Sequence, residues 1–123
     1  MAVTTSTASN PVVTTVIVDS DADLTVETAA SSNQFLYGIE IVNPNQNEAV
    51  YVHLINAASG STTGTQHSTQ FYCPAGTSCY YYFPQGYKTS TGIQFYASTS
   101  AGGGGTASAP TEDVTVTMGL TAR

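Results

Sequence analysis

The chain is expected to fold as an all-β protein, an antiparallel β-sandwich of jelly-roll type with about eight short strands and a loose N-terminal arm. Three observations predict this. From Pro11 onward the apolar residues alternate or cluster in short runs, those runs are rich in Val, Ile, Tyr and Phe, and turn formers separate them at short intervals. No segment has the length and periodicity of a helix; Ala57-Ala58-Ser59-Gly60 comes nearest and is too short to be more than a turn.

Strands are expected at about Val12 to Val18, Leu24 to Thr28, Phe35 to Val42 and Ala49 to Ile55, then at Thr69 to Cys73, Cys79 to Phe83, Ile93 to Ser98 and Val114 to Leu120. In the third, strict alternation sets Leu36, Gly38, Glu40 and Val42 on one face and Tyr37, Ile39 and Ile41 on the other. In the fourth, Val50, Val52 and Leu54 oppose Tyr51, His53 and Ile55, so both faces are apolar and the strand belongs inside a sheet. In the last, Val114, Val116 and Met118 alternate with threonines, giving one packed face and one wet face. Residues 1–10 lack periodicity and read as a flexible arm; residues 11–123 make a single domain of ordinary size. Ala101 to Pro110, with four successive glycines, reads as a flexible loop.

Composition narrows the function. Only 8% of residues are charged, against roughly 25% in ordinary soluble domains, and the polar character comes from 33 hydroxyl residues, 13 Ser and 20 Thr. The basic residues are two, Lys88 and Arg123, and the net charge is -6. Nucleic acids and anionic membranes both require clusters of Lys and Arg, so neither is an expected partner. No apolar run reaches the roughly 20 residues that span a bilayer, and the start of the chain has no basic and apolar leader, so synthesis in a cytoplasm is expected. No Asn-x-Ser/Thr sequon occurs.

Catalytic constellations are missing from the pattern. Gly60-Ser61-Thr62-Thr63-Gly64 carries Thr62 where a nucleophile elbow needs Ser, and the glycine run lacks the Lys that follows in a phosphate loop. Asp19, Asp21 and Asp23 have the spacing of the first ligands of a calcium loop, but Leu24 stands where that loop needs Gly and Ala30 where it needs Glu. A solvated turn is the expectation there. A zinc set of Cys73, Cys79, His53 and His67 matches no finger or ribbon spacing. Neither a cofactor nor a metal is expected, and the protein is expected not to be an enzyme.

Two groups remain. Cys73 and Cys79 flank Pro74-Ala75-Gly76-Thr77-Ser78, which reads as a hairpin loop that would set the sulfurs opposite each other. A disulfide closed after release from the cell and a pair of free thiols both fit that spacing. Tyr80, Tyr81 and Tyr82 alternate along one strand, so at least one ring faces solvent or a neighbour, joined by Tyr72 and Tyr87. Such rings serve cross-strand pairing, an interface, or stacking on a sugar equally well.

The segment from Phe35 to Leu120 resembles small structural proteins of tailed bacteriophages. The resemblance lies in Leu36 to Asn43, Ala49 to Ser59, Pro74 to Ser78, Phe83 to Ile93 and Asp113 to Thr117, within a span of roughly two thirds of the chain. It implies a β-sandwich module on the virion surface, as capsid decoration, cement or fibre component, with a structural role. This sequence departs from the pattern at Cys73 and Cys79 and in the long segment before Gln34, read as a virion-docking element or an added strand pair. The resulting expectation is a decoration protein, made in the host cytoplasm, that binds the major capsid protein as a trimer or dimer. The alternative is a head or tail fibre module that binds a host glycan through exposed tyrosines.

Overall fold

The computed structural model describes residues 3–7, 13–64, 69–101 and 108–123. Among these are nine strands and no helix: β1 (Val3–Thr7), β2 (Thr15–Ala22), β3 (Glu27–Ala30), β4 (Gln34–Asn43), β5 (Val50–Ile55), β6 (Thr69–Cys73), β7 (Thr77–Thr89), β8 (Ile93–Ser98) and β9 (Val114–Ala122). They form two antiparallel sheets, one ordered β1-β2-β9-β4-β7 and the other β3-β8-β5-β6. From β2 onward each successive strand lies in the opposite sheet, except for the β5–β6 hairpin. That interleaving is the jelly roll, in which two Greek keys wrap into a sandwich.

The core lies between the sheets. Ile17, Leu36, Ile39, Ile41, Val116, Met118 and Leu120 from one sheet meet Val50, Val52, Leu54, Phe71, Ile93, Phe95 and Ala97 from the other, all buried. Each of these side chains larger than alanine contributes about 1.5 to 3 kcal/mol over an exposed position. β5 runs between β6 and β8, as its two apolar faces predict. Its second face is covered as well. His53 stacks on Tyr96 with ring centroids 4.5 Å apart, and His53 Nε2 lies 2.8 Å from Ser98 Oγ. The chain following β5 lies over this face: Ser61 N–H donates to Gln94 Oε1 at 3.1 Å, and the Thr63 hydroxyl donates to the Leu24 carbonyl.

Several expectations change. Residues 3–7 of the expected arm form β1, because Val and Thr suit a strand and β2 offers an unpaired edge; residues 1–2 and 8–10 lie outside the described residues. The Asp-rich stretch is not a turn throughout: β2 continues to Ala22, with Asp19 opposite Val116 and buried, and the turn starts at Asp23, whose carboxylate accepts from Thr25 N–H at 2.8 Å. In β4 the alternation breaks at a bulge. Leu36 pairs with Leu120 and Gly38 with Gly119, so Tyr37 is the extra residue and Leu36 shares the core face with Ile39 and Ile41. The glycine run, Gly102 to Gly105, lies outside the described residues, but its base is closed by Thr99 N–H donating to Ser108 O at 2.9 Å.

At one end of the sandwich, side-chain amides tie three loops together. Asn43 Nδ2 donates to the Glu48 and Pro74 carbonyls at 2.7 and 3.1 Å, and Asn45 Nδ2 donates to Thr111 Oγ1 at 2.8 Å. Thr111 N–H in turn donates to Glu48 Oε1 at 3.0 Å. Asn and Asp favour such local side-chain bonds, which satisfy loop backbone groups that no strand reaches.

Candidate functional site

The tyrosines singled out in the sequence gather along one flank, where β6 and β7 are the edge strands of their sheets. Alternation along β7 sorts them. Tyr80 and Tyr82 point outward and are 63% and 65% exposed, and Tyr72 on β6 is 44% exposed. Tyr81 turns inward, with its ring 5.2 Å from that of Phe71 and its hydroxyl donating to the Tyr72 carbonyl. Burial pushes the Tyr81 phenol pKa upward. Tyr87 likewise packs on the core, 5.7 Å from Phe83. Of the five candidate interface rings, then, Tyr72, Tyr80 and Tyr82 offer surface, while Tyr81 and Tyr87 hold the edge of the core.

Charge is sparse on the two strands of this flank, which carry only Lys88, near the end of β7. Between Glu48 and Lys88 the sequence has no Asp, Glu, Lys or Arg, and that stretch supplies β5, β6 and most of β7. Asp19, Asp21, Asp23 and Glu27 lie on or between β2 and β3, while Glu48, Glu112 and Asp113 lie in loops. Both basic side chains converge on one ring: Lys88 Nζ is 5.9 Å and Arg123 Cζ 5.5 Å from the Phe35 centroid. Glu40 stands opposite Tyr80 in β7 and Thr117 in β9.

The outer face beside Tyr80 has a particular shape. Gly38 lies under the hydroxyl end of the Tyr80 ring; a methyl group there would come within 2.8 Å of Tyr80 Oη. A glycine inside a strand marks such a close approach or a bulge, and here it marks both. The Tyr80 and Tyr82 ring centroids are 5.9 Å apart with their planes inclined at 30°. Beyond Tyr82 the edge buckles. Leu36 pairs with Tyr87 and Gly38 with Tyr82, so four residues of β7, Phe83 to Gly86, face the single residue Tyr37. Gly86 turns the chain there with φ +81°, seated against Phe35. Tyr82, Phe83, Pro84, Gln85 and Gly86 line a shallow open cavity of about 350 Å³.

The cysteines are free thiols. The hairpin expected between them is not formed, because Cys73 ends β6 in one sheet and Cys79 lies in β7 of the other, where it pairs with Ile41. Cys73 is wholly buried and its Sγ lies 3.4 Å from the Thr77 carbonyl. Burial pushes its thiol pKa upward, and the neighbouring Cys79 adds to the shift. His53 is on the far face of β5 from the core, so it does not join the thiols; His67 lies outside the described residues. Among the described residues no group of three His, Cys, Asp or Glu side chains is placed to hold a metal.

Asp19 is the functional group that sequence reasoning misplaced most. It is 0% exposed, and its Oδ2 has no hydrogen-bond partner, while Oδ1 accepts from Asp21 N–H at 3.2 Å. Burial raises its pKa from 3.8 to about 6, with Asp21 and Glu27 adding charge repulsion. No sequence signal marks it, since Asp in an Asp-x-Asp-x-Asp run reads as turn chemistry. Comparison with protein-family models, with curated proteins and with solved structures gives no match to this chain.

Proposed function

We propose that this chain is a non-catalytic structural protein of a virus particle, a decoration or cement protein that binds the outer surface of a tailed-phage head and stabilises it. The observation that carries the reading is the tyrosine-bearing β6–β7 flank, whose two strands carry no charged residue from Thr69 to Tyr87, in a protein with net charge -6. Interfaces are enriched in tyrosine and depleted of charge at their centres, and such a flank lets another protein approach without charge repulsion. The jelly roll serves coat proteins and lectins alike, so the fold is compatible with the reading and does not by itself choose it. The major capsid protein is the proposed partner, and self-association as a trimer or dimer accompanies it. Mixing the purified chain with empty capsids and heating them tests the reading: bound capsids should resist higher temperatures, and an unchanged capsid transition with no co-sedimentation would reject it.

A second reading is favoured by one feature, the adjoining exposed rings of Tyr80 and Tyr82. In it the chain is a head or tail fibre module that attaches to a host-surface glycan. Binding of the labelled chain to intact host cells separates this reading from decoration.

A further inference from the structure

The geometry points to a binding site for a neutral saccharide on the outer face of the five-stranded sheet, formed by Tyr80, Tyr82, Glu40 and Gln85. It deepens the glycan-binding reading above and rests on it. Pyranose rings present a face of axial C–H groups, weakly positive and apolar, that packs on the negative face of an aromatic ring. Such a ring must be exposed, held in place, and flanked by acceptors for the sugar hydroxyls.

These conditions meet at one place. Tyr80 and Tyr82 are each more than 60% exposed, and their rings stack on each other with centroids 5.9 Å apart at 30°, a braced aromatic pair whose free face and edges are open to a sugar ring. Tyr80 is seated by Gly38, whose missing side chain lets the ring come down onto β4. Glu40 is directly opposite Tyr80 in the β4–β7 register, and a carboxylate accepts two hydroxyl hydrogen bonds, stronger than those to a neutral acceptor. Thr117, opposite Glu40 on its other side, adds a hydroxyl. Gln85 brings an amide, donor and acceptor together, to the cavity that begins at Tyr82.

Charge selects the class of sugar. Glu40 stands opposite Tyr80, at the tyrosine end of the site, while Lys88 and Arg123 gather on Phe35, which touches Gly86 at the other end and lies five residues along β4 from Glu40, roughly 16 Å at about 3.3 Å per residue. A sialic or uronic acid stacked on Tyr80 would meet the Glu40 carboxylate, with both cations at the opposite end of the site. Neutral hexoses and N-acetylhexosamines fit.

The test is a titration of the ¹⁵N-labelled full chain, followed by NMR, with β-linked glucose, galactose and N-acetylglucosamine oligomers, and with sialyllactose for comparison. At least one neutral oligomer should shift resonances of Tyr80, Tyr82, Glu40 and Gln85, and sialyllactose should not. Tyr82→Ala and Tyr80→Ala should each weaken that binding about tenfold, the loss of one well-placed aromatic contact. Tyr82→Phe should bind as the parent does, and Tyr72→Ala, which removes an exposed ring elsewhere, should leave binding unchanged. The amide spectrum of each variant reports whether it is folded, and Glu40→Gln gives a second, conservative probe that should weaken binding several-fold.

Absence of shifts with every neutral oligomer, or a preference for sialyllactose, overturns the site. If the chain still adheres to host cells, the receptor-binding reading outlives the site; if it does not, both fail. Saccharide binding that persists in Tyr80→Ala and Tyr82→Ala places the sugar elsewhere and also overturns the site. Loss of self-association in those two variants, with no saccharide bound by the parent, would assign the rings to a second copy of the chain instead.

Discussion

Replacing Asp19 by asparagine should remove a pH-dependent loss of stability that the parent suffers between about pH 4 and pH 7. The Asp19 carboxyl is fully buried, its Oδ2 lacks a partner, and its pKa rises from 3.8 to about 6. An acid whose folded pKa exceeds its unfolded value holds its proton more tightly when folded. Its contribution is therefore complete below pH 3.8 and is lost as pH climbs through about 6. A shift of about 2 units corresponds to about 3 kcal/mol at about 1.4 kcal/mol per unit. For 123 residues, at roughly 2.1 cal/mol/K each, that is about 12 °C in melting temperature. Urea unfolding of parent and Asp19→Asn at a series of pH values measures it. The asparagine keeps the acceptor for Asp21 N–H but brings a buried amide of its own, so the variant need not be the more stable one at pH 4. The difference between the two proteins should move in the variant's favour by about 3 kcal/mol on going to pH 7. A difference that stays constant across that range would refute the reasoning.

The bulge at Tyr37 predicts that Leu36→Ala costs about 2 to 5 kcal/mol, since Leu36 is wholly buried, whereas Tyr37→Ala costs much less; equal losses in denaturant titrations would restore the unbroken alternation. Gly38→Val should displace the Tyr80 ring and change the tyrosine fluorescence and ring resonances while the protein stays folded; an unaltered Tyr80 environment would contradict the seating. In the native protein an alkylating reagent such as iodoacetamide at pH 8 should modify the half-buried Cys79 and leave the buried Cys73, its thiol pKa raised, until the chain unfolds; equal rates for both would count against the packing around Cys73. Asn45→Ala removes donors to Thr111 and an acceptor for Asn47 N–H, and should cost about 1 to 3 kcal/mol through the loops it ties; no measurable loss would show that the amide knot is ornamental to stability.

Where the polar/apolar pattern alone decides a strand, the sequence was readable. β5 and β9 show it: Val50, Val52 and Leu54, and Val114, Val116 and Met118, face the core as their spacing predicts. The phase of β4 was lost at one residue, because strict alternation has no place for the extra Tyr37, although Gly38 inside the strand was a signal of it. The seventh strand, expected over Cys79 to Phe83, runs from Thr77 to Thr89, because an edge strand tolerates Pro84 and a bulge. The Cys73–Cys79 connection has the length and composition of a hairpin loop, and local sequence does not tell a hairpin from a crossing between sheets. Asp19 is buried in β2 between its partners Val3 of β1 and Val116 of β9, and nothing within the Asp-rich stretch encodes that. The tyrosine flank was half legible: alternation separated Tyr81 from Tyr80 and Tyr82, but Tyr87 joined the core only through the Phe83–Gly86 buckle.

The most direct test of the structural role proposed here is quantitative mass spectrometry of purified virus particles from the source culture, read as copies of this chain per copy of the major capsid protein. A decoration protein should be present at a ratio near unity or at a simple fraction fixed by capsid symmetry. A handful of copies would assign the chain to a vertex or tail fibre instead, and its absence from the particles would contradict the virion role altogether.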